Sequence, residues 1–578
     1  RTRALGDFMA TQRRIIEEAY GRSFPTLVNF SDGAIYYGNF CGQGVDYFEL
    51  LDSGQQNAIW GEDWANISST YQCAAFNVAL MQAAARKRGQ LVGHYLIAHA
   101  GRTAWDTKTK AAGETARGVR IWKNFSYGPA WGTHEGGPPW RTHVWYAKPD
   151  VWRANAEITR ELGAVEDWLT TAAPAPARVA LLYSSSSDIW TMWDNLAFGF
   201  DRMHTWLALA HAQIPVDILS ERDVADGDLA GYTVCYVSGP NLTRAASAQL
   251  RAWVESGGTL WLTAGAATRD EYNRPLDELA PILPAQRGTT ETLEAFHYSG
   301  RLLHHLNAID AVTWGSEELE VLSVKEPLTP QSGAEVRATF RDGAAAVVRS
   351  GAGKGRVMQT GFLPALCYIK EALNARRAAE KSRDEAVAVA QTRPPEDGQP
   401  EATAASLAVA LTTGGAAAPS SVERELLDRS YNPWDFPAAI REALLTPIRD
   451  ADIRPRLTCD TPLVDAVELP CVQGILVVLA NHTLRPLEHL NLEFLMDRSI
   501  AYVESVRYGR LTFESPRPGT IRWTMPLDAS DYVKLGFEGI SGTSAPSEPG
   551  SRIAAGRPFS ENSGALRGCP QRMRLNVE

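Results

Sequence analysis

Glu62 and Asp63 stand side by side just past the apolar run 57–60, with Trp64 next to them. Carboxylates this close raise one another's pKa, so one can hold a proton while the other stays charged. A plainer role fits the same residues: one acid caps the helix that follows and the other pairs with Arg102. Asn29 ends an earlier apolar run, 26–30, and His99 and Arg102 end a later one, 91–99. Tyr127 closes a fourth run, 118–127, and Trp131, Glu135 and Trp140 come from the Gly/Pro-rich stretch after it. Trp60, Trp105, Trp122 and Trp145 crowd the same region. A pyranose presents an apolar C–H face that stacks on such rings, so a carbohydrate is the ligand class these side chains favour. Core packing alone explains Trp105 and Trp122, and explains less well Trp131 and Trp140, for which a binding role is favoured. His99 can donate to a sugar hydroxyl or sit as a satisfied core histidine. His94 and His99 are five apart on one strand and so face opposite ways, which excludes a metal-ligand pair.

The elements that must position these residues are repeated βα units. Helices predicted near 8–20, 71–88 and 105–117, with another after Pro149, separate the four apolar runs. Buried strands alternating with helices form a parallel sheet. Four such units are half of an eight-fold barrel and leave two bare sheet edges. In such an arrangement chemistry sits just past the carboxyl ends of the strands, where Asn29, Glu62, Asp63, Trp64, His99, Arg102, Tyr127, Trp131, Glu135 and Trp140 fall.

Residues 177–370 read as a second α/β unit. A strand at 179–183, a helix at 193–211 and a strand at 216–219 precede its clearest passage, 232–264. That passage is a buried strand, a turn, an amphipathic helix, a Gly-Gly cap and a second buried strand, one unit of a doubly wound sheet. Strands at 335–340, 345–349 and 355–359 follow. The segment 351–355 lacks the Gly-x-x-x-x-Gly-Lys-Ser/Thr spacing and joins two strands, so it reads as a glycine hairpin and not a phosphate loop. Cys235 lies inside its strand, where it is expected to be buried and inert, and Ser238 is not framed by a Gly-x-Ser-x-Gly elbow. Residues 371–430 read as a linker, 431–535 as an all-β sandwich, and 536–578 as a poorly ordered tail.

The 578-residue chain has a net charge of -10, which argues against nucleic acid and anionic membranes as partners. No apolar run approaches the ~20 residues that span a bilayer. Seven dispersed cysteines with no C-x-x-C pair suggest thiols in a reducing compartment, and hence the cytoplasm. Nothing points to a redox cofactor or a metal set. Because Arg1 leads straight into a helical pattern, the chain reads as the rear portion of something longer.

Residues 177–265, Phe340-Arg-Asp-Gly343 and Gly353-Lys-Gly-Arg-Val357 together resemble the trimerisation domain of the family-42 glycoside hydrolases, the β-galactosidase group. Phe8, Gln12, Ile16 and Thr26-Leu-Val-Asn29 resemble the entry to that family's fifth barrel strand, and 474–535 its terminal sandwich. The resemblance implies the rear part of a (β/α)8 TIM barrel (residues 1–165, strands five to eight), then a flavodoxin- or class I amidotransferase-like domain, then a small antiparallel β-sandwich. It also implies a homotrimer, with Asp188, Trp190 and Trp193 bordering a neighbouring subunit's barrel mouth. The implied activity is hydrolysis of β-galactosides or related glycosides by two carboxylates. The family's acid/base Glu, at the end of strand four, would precede Arg1. Its nucleophile Glu belongs at the end of strand seven, where this chain reads Tyr95-Leu-Ile-Ala-His99. Glu62 and Asp63 are then the candidate catalytic pair. Asn29, Trp64, His99, Arg102, Tyr127, Trp131, Glu135 and Trp140 are candidate sugar contacts. The alternative is a relative that binds carbohydrate without cleaving it.

Overall fold

The computed structural model describes residues 2–30, 45–52, 54–62, 74–97, 103–125, 149–191, 196–292, 298–299, 302–303, 308–370 and 436–539. Strands and helices alternate through the first part: α1 (Thr2–Tyr20), β1 (Asn29–Phe30), α2 (Tyr47–Asp52), β2 (Ala58–Gly61), α3 (Ala74–Arg86), β3 (Leu91–Ile97), α4 (Ala104–Ala116), β4 (Ile121–Phe125) and α5 (Pro149–Leu169). The four strands pair in chain order and all run parallel, as the βα repeat requires. Local chemistry sets the boundaries. Thr103 and Asp106 close a capping box that starts α4, and Gly118 takes φ +105 in the turn into β4. Strand β1 is shorter than the run 26–30. Thr26 gives its N–H to the Asn57 side chain at 2.7 Å, and Asn57 in turn donates to the Phe24 carbonyl, so the approach to the strand is held outside the ladder.

The second part carries β5 (Val179–Tyr183), α6 (Ser185–Thr191), α7 (Ala197–His211), β6 (Val216–Ser220), α8 (Glu221–Ala225), β7 (Val234–Val237), α9 (Arg244–Ser256) and β8 (Thr259–Leu262). After these come β9 (Ala285–Arg287), β10 (Ala308–Trp314), β11 (Glu317–Leu322), β12 (Leu328–Pro330), β13 (Glu335–Phe340), β14 (Ala345–Ala352) and β15 (Gly355–Thr360). Strands β15-β8-β7-β5-β6 are parallel neighbours, the doubly wound order in which crossovers leave β5 in both directions. An antiparallel wing, β11-β10-β13-β14, continues the sheet beyond β15. The 351–355 segment is the β14–β15 hairpin, with Gly353 at φ +61. Cys235 is fully buried in β7, and desolvation pushes its thiol up to about 12.

The stretch from 431 is not all-β. Helices α10 (Ala438–Leu444) and α11 (Thr446–Asp450) precede the sandwich and seal the lower edge of the core through Ile440, Leu444 and Ile448. Pro437 and Pro447 sit at helix starts, where the missing N–H costs nothing. The sandwich comprises one sheet of β16 (Leu457–Cys459), β19 (Leu487–Leu495), β23 (Thr520–Leu527) and β22 (Phe513–Arg517). The other sheet is β17 (Val464–Pro470), β18 (Gly474–Asn481), β24 (Ser530–Phe537), β20 (Ile500–Ser505) and β21 (Gly509–Leu511). Every residue of β18 is buried. One of its faces lines the sandwich core, while Leu476, Val478 and Ala480 on the other pack on Ala112, Ala116 and Trp168 of α4 and α5.

Helix α3 joins the first two parts. It is buried nearly all round, and Phe76 lies 5.7 Å from the Trp206 ring of α7. The linker expected at 371–430 lies outside the described residues, as does almost all of the tail expected at 536–578. Among the described residues no helix is long and apolar enough to cross a membrane.

Candidate functional site

Register places the chemistry of the β1–β4 sheet in rows. Asn29, Trp60, Gly93 and Ile121 are successive partners across it and share one face. One step further along each strand, Phe30, Gly61, His94 and Trp122 share the opposite face, against the helices. One step further still, Glu62 follows β2 beside Tyr95, which pairs with Lys123. A carboxylate, a phenol and an ammonium therefore stand in one row near the carboxyl ends, above the Asn29–Trp60 row.

Glu62 continues the ladder by donating its N–H to the Phe30 carbonyl at 3.0 Å. Its Oε2 accepts from Asn29 Nδ2 at 2.9 Å. That amide orients the carboxylate. Trp60 is buried, meets Tyr95 edge-on at 5.4 Å, and its indole N–H has no acceptor among the described residues. Gly93 permits this placement, because a Cβ there would meet the Trp60 ring at 2.2 Å. Lys123 Nζ lies 5.4 Å from the Tyr95 ring centre. The arrangement can accept hydrogen bonds from hydroxyls at Glu62, donate from Lys123, and offer the half-buried Tyr95 ring to an apolar sugar face.

Of the residues picked from sequence, Asn29 and Glu62 are brought together. Asp63, Trp64, His99, Arg102, Tyr127, Trp131, Glu135 and Trp140 lie outside the described residues, as does Trp193. His94 faces the helices, buried with its Nδ1 3.2 Å from Glu114 Oε2, and so has a core role. Trp105 donates to the Asn481 carbonyl at 3.0 Å and is a structural contact between α4 and the sandwich. Trp122 packs edge-on to His94 at 6.4 Å. Tyr95 and Lys123 were missed. Strand parity was the available signal, since both have the alternation that puts Trp60 on the inner face.

In the second part Asp188 does not border any mouth. It is buried, and both its oxygens accept from Arg202 at 3.0 Å. The reason is electrostatic: Arg202 is itself fully enclosed under Tyr183, and a guanidinium there must hold a carboxylate. Trp190 is exposed and donates to the Glu271 carbonyl at 3.1 Å. Asp46, which starts α2, meets Ser185 of the second part, and burial raises its pKa. Among the described residues no group of acids, histidines and cysteines has the geometry to hold a metal ion.

Residues 177–379 match the model of the β-galactosidase trimerisation domain. The β-galactosidase BgaH of Haloferax lucentense is 31% identical over 185 residues, a match spanning 30% of this chain and 25% of that protein. Gan42B, a GH42 β-galactosidase from G. stearothermophilus, superposes with a TM-score of 0.60 at 15% identity over 92% of this chain and 67% of its own. The second part of the chain, residues 177–379, is therefore a domain of the β-galactosidase trimerisation kind. The β-galactosidase from Bacillus circulans sp. alkalophilus also superposes with a TM-score of 0.60, at 13% identity over 92% of this chain and 66% of that one. The chain spans about two thirds of the solved structures it resembles, and its match to BgaH covers a quarter of that protein. Those likenesses agree with the parallel barrel-type sheet, the doubly wound domain and the sandwich seen here in that order.

Proposed function

We propose that this chain carries part of a glycoside hydrolase acting on β-galactosides or related glycosides. The observation that carries the reading is Glu62, oriented by Asn29 at the carboxyl end of a barrel-type strand, in a chain whose next domain is of the β-galactosidase trimerisation kind. Hydrolysis with two carboxyl groups needs one protonated and one charged, and Glu62 and Asp63 are the proposed pair. Trp64, His99, Arg102, Tyr127, Trp131, Glu135 and Trp140 complete the proposed sugar contacts. Self-association as a homotrimer through 177–370 is part of the same reading, supported by the matched domain. The test is turnover of a panel of nitrophenyl β-glycosides. Release from the galactoside that falls by ~100-fold or more in Glu62→Gln, in line with loss of an acid/base group, supports the reading. Inactivity across the panel counts against it. Sedimentation tests the assembly, and a monomer at micromolar concentration would remove the trimer from the proposal.

A second reading, a carbohydrate-binding relative without hydrolysis, is favoured by one observation. Residues 91–99 place His99 where the family resemblance calls for a carboxylate, and no acid occurs in that stretch. Binding of galactose by calorimetry without turnover would select it.

A further inference from the structure

His211, at the end of α7, is fully buried, and His482, just past β18, is nearly so, with ring centres 5.6 Å apart. Elements from every part of the fold close round them. Phe436 meets His211 edge-on at 4.6 Å. Arg441 of α10 donates to the Tyr368 hydroxyl at 3.3 Å, and that hydroxyl lies 2.8 Å from His211 Nδ1. The Arg441 guanidinium only donates, so among the described residues Nδ1 is the acceptor open to the phenol proton, which assigns it as the unprotonated nitrogen. From α4, Arg117 faces the pair while gripping Asp465 of β17 through two nitrogens. Among the described residues, the charged groups facing the two imidazoles are therefore Arg441, Arg117 and Asp465, with Tyr368 as the neutral titratable neighbour.

The backbone shows what this knot fastens. Leu463 donates to the His211 carbonyl at 3.4 Å, and His482 donates to the Leu463 carbonyl at 2.9 Å. The Gln213 side chain bridges the His211 and Val464 carbonyls at 3.1 and 2.8 Å. The edge of the sandwich is thus tied to the end of α7 directly around the two histidines.

We propose that His211 and His482 form an acid-sensitive latch, whose proton uptake releases the sandwich from α7. A proton on His211 Nδ1 opposes the phenol proton, leaves the Tyr368 hydroxyl without its acceptor, and sets a cation against Arg441 and Arg117. A proton on His482 adds a second cation beside the first, while the nearest carboxylate is already committed to Arg117. Opening to water relieves both. Burial, reinforced by His482, Arg441 and Arg117, holds His211 well below the usual imidazole range, and burial holds His482 down to about 4. The released state titrates near the ordinary ~6.5. The latch is therefore fully closed above that value, and its stability is lost progressively as pH falls from ~6.5 to about 4.

The test is hydrogen–deuterium exchange of the full chain from pH 8 to 4, corrected for intrinsic rates. Segments 206–214 and 463–482 should lose protection together within that window, while β7 and β8 keep theirs. In His211→Phe/His482→Phe, which retains aromatic packing, the opening should move down by about one pH unit or more, or vanish. Equal opening in both proteins, or full protection of the two segments at pH 4, would overturn the latch. Should the double variant not fold, carbon-13 spectra of histidine-labelled wild type decide the matter. Besides His204, which burial also lowers to about 3, two of the eleven imidazoles should stay neutral until the segments open, and ordinary titration of those two before opening would contradict it.

Discussion

The two parallel sheets of this molecule are made of the same βα unit, yet they finish in opposite ways. Strands β5, β7 and β8 are buried along their whole lengths, with helices or neighbouring strands on every side. In the β1–β4 sheet, Asn29, Ile121 and Lys123 are exposed, and β1 and β4 each have one strand partner among the described residues. Asn29 and Lys123 of the first sheet stand on an accessible face, whereas around the second sheet charges are locked into pairs such as Asp188 of α6 with Arg202 of α7. One sheet leaves side chains accessible, and the other is scaffold.

The sharpest way to break that comparison is to unpair the scaffold. Arg202→Met leaves Asp188 as a buried charge without its partner and should cost about 3–5 kcal/mol in denaturant unfolding. A loss below ~1 kcal/mol would mean the pair is far wetter than its burial implies. Trp261→Ala should cost a similar ~3–5 kcal/mol, because the ring is fully buried between Tyr236 and Trp314. Asp201 supplies a pH-dependent version. Burial raises its pKa to about 7, against hydrogen bonds that include the Ala365 N–H at 3.0 Å. The folded state therefore holds a proton that the unfolded chain releases above ~3.9. Stability falls as pH rises from there to about 7 and then levels off. Asp201→Asn should accordingly be better tolerated at pH 8 than at pH 4, read from melting temperatures; the reverse order would refute a raised pKa. The smallest effect belongs to the open sheet. Ile121→Ala should change stability by about 0.5 kcal/mol or less, and a core-sized loss would show that face to be covered.

Legibility in the sequence followed the same division. Strand β5 was read to the residue, and the β7–α9–β8 unit nearly so. Their apolar runs are continuous and their punctuation is local, with Thr243 capping α9 and Gly257 at φ +135 ending it. The β10–β11 hairpin was missed because Glu317, Glu318 and Glu320 spread charge along a strand with one exposed face. Helices α10 and α11 were missed because they are only seven and five residues long, too short to show a helical period. At the site, looking only beyond strand ends found Asn29 and Glu62 but passed over Tyr95 and Lys123, whose roles depend on pairing between strands far apart in sequence.

Glu62 is where the account is most exposed. Calorimetric titration of galactose into the wild-type chain and into Glu62→Ala measures it directly. The account predicts binding heat in the wild type that is lost in the variant, with both proteins melting at the same temperature. Undiminished heat in the variant, or none in the wild type, would contradict it.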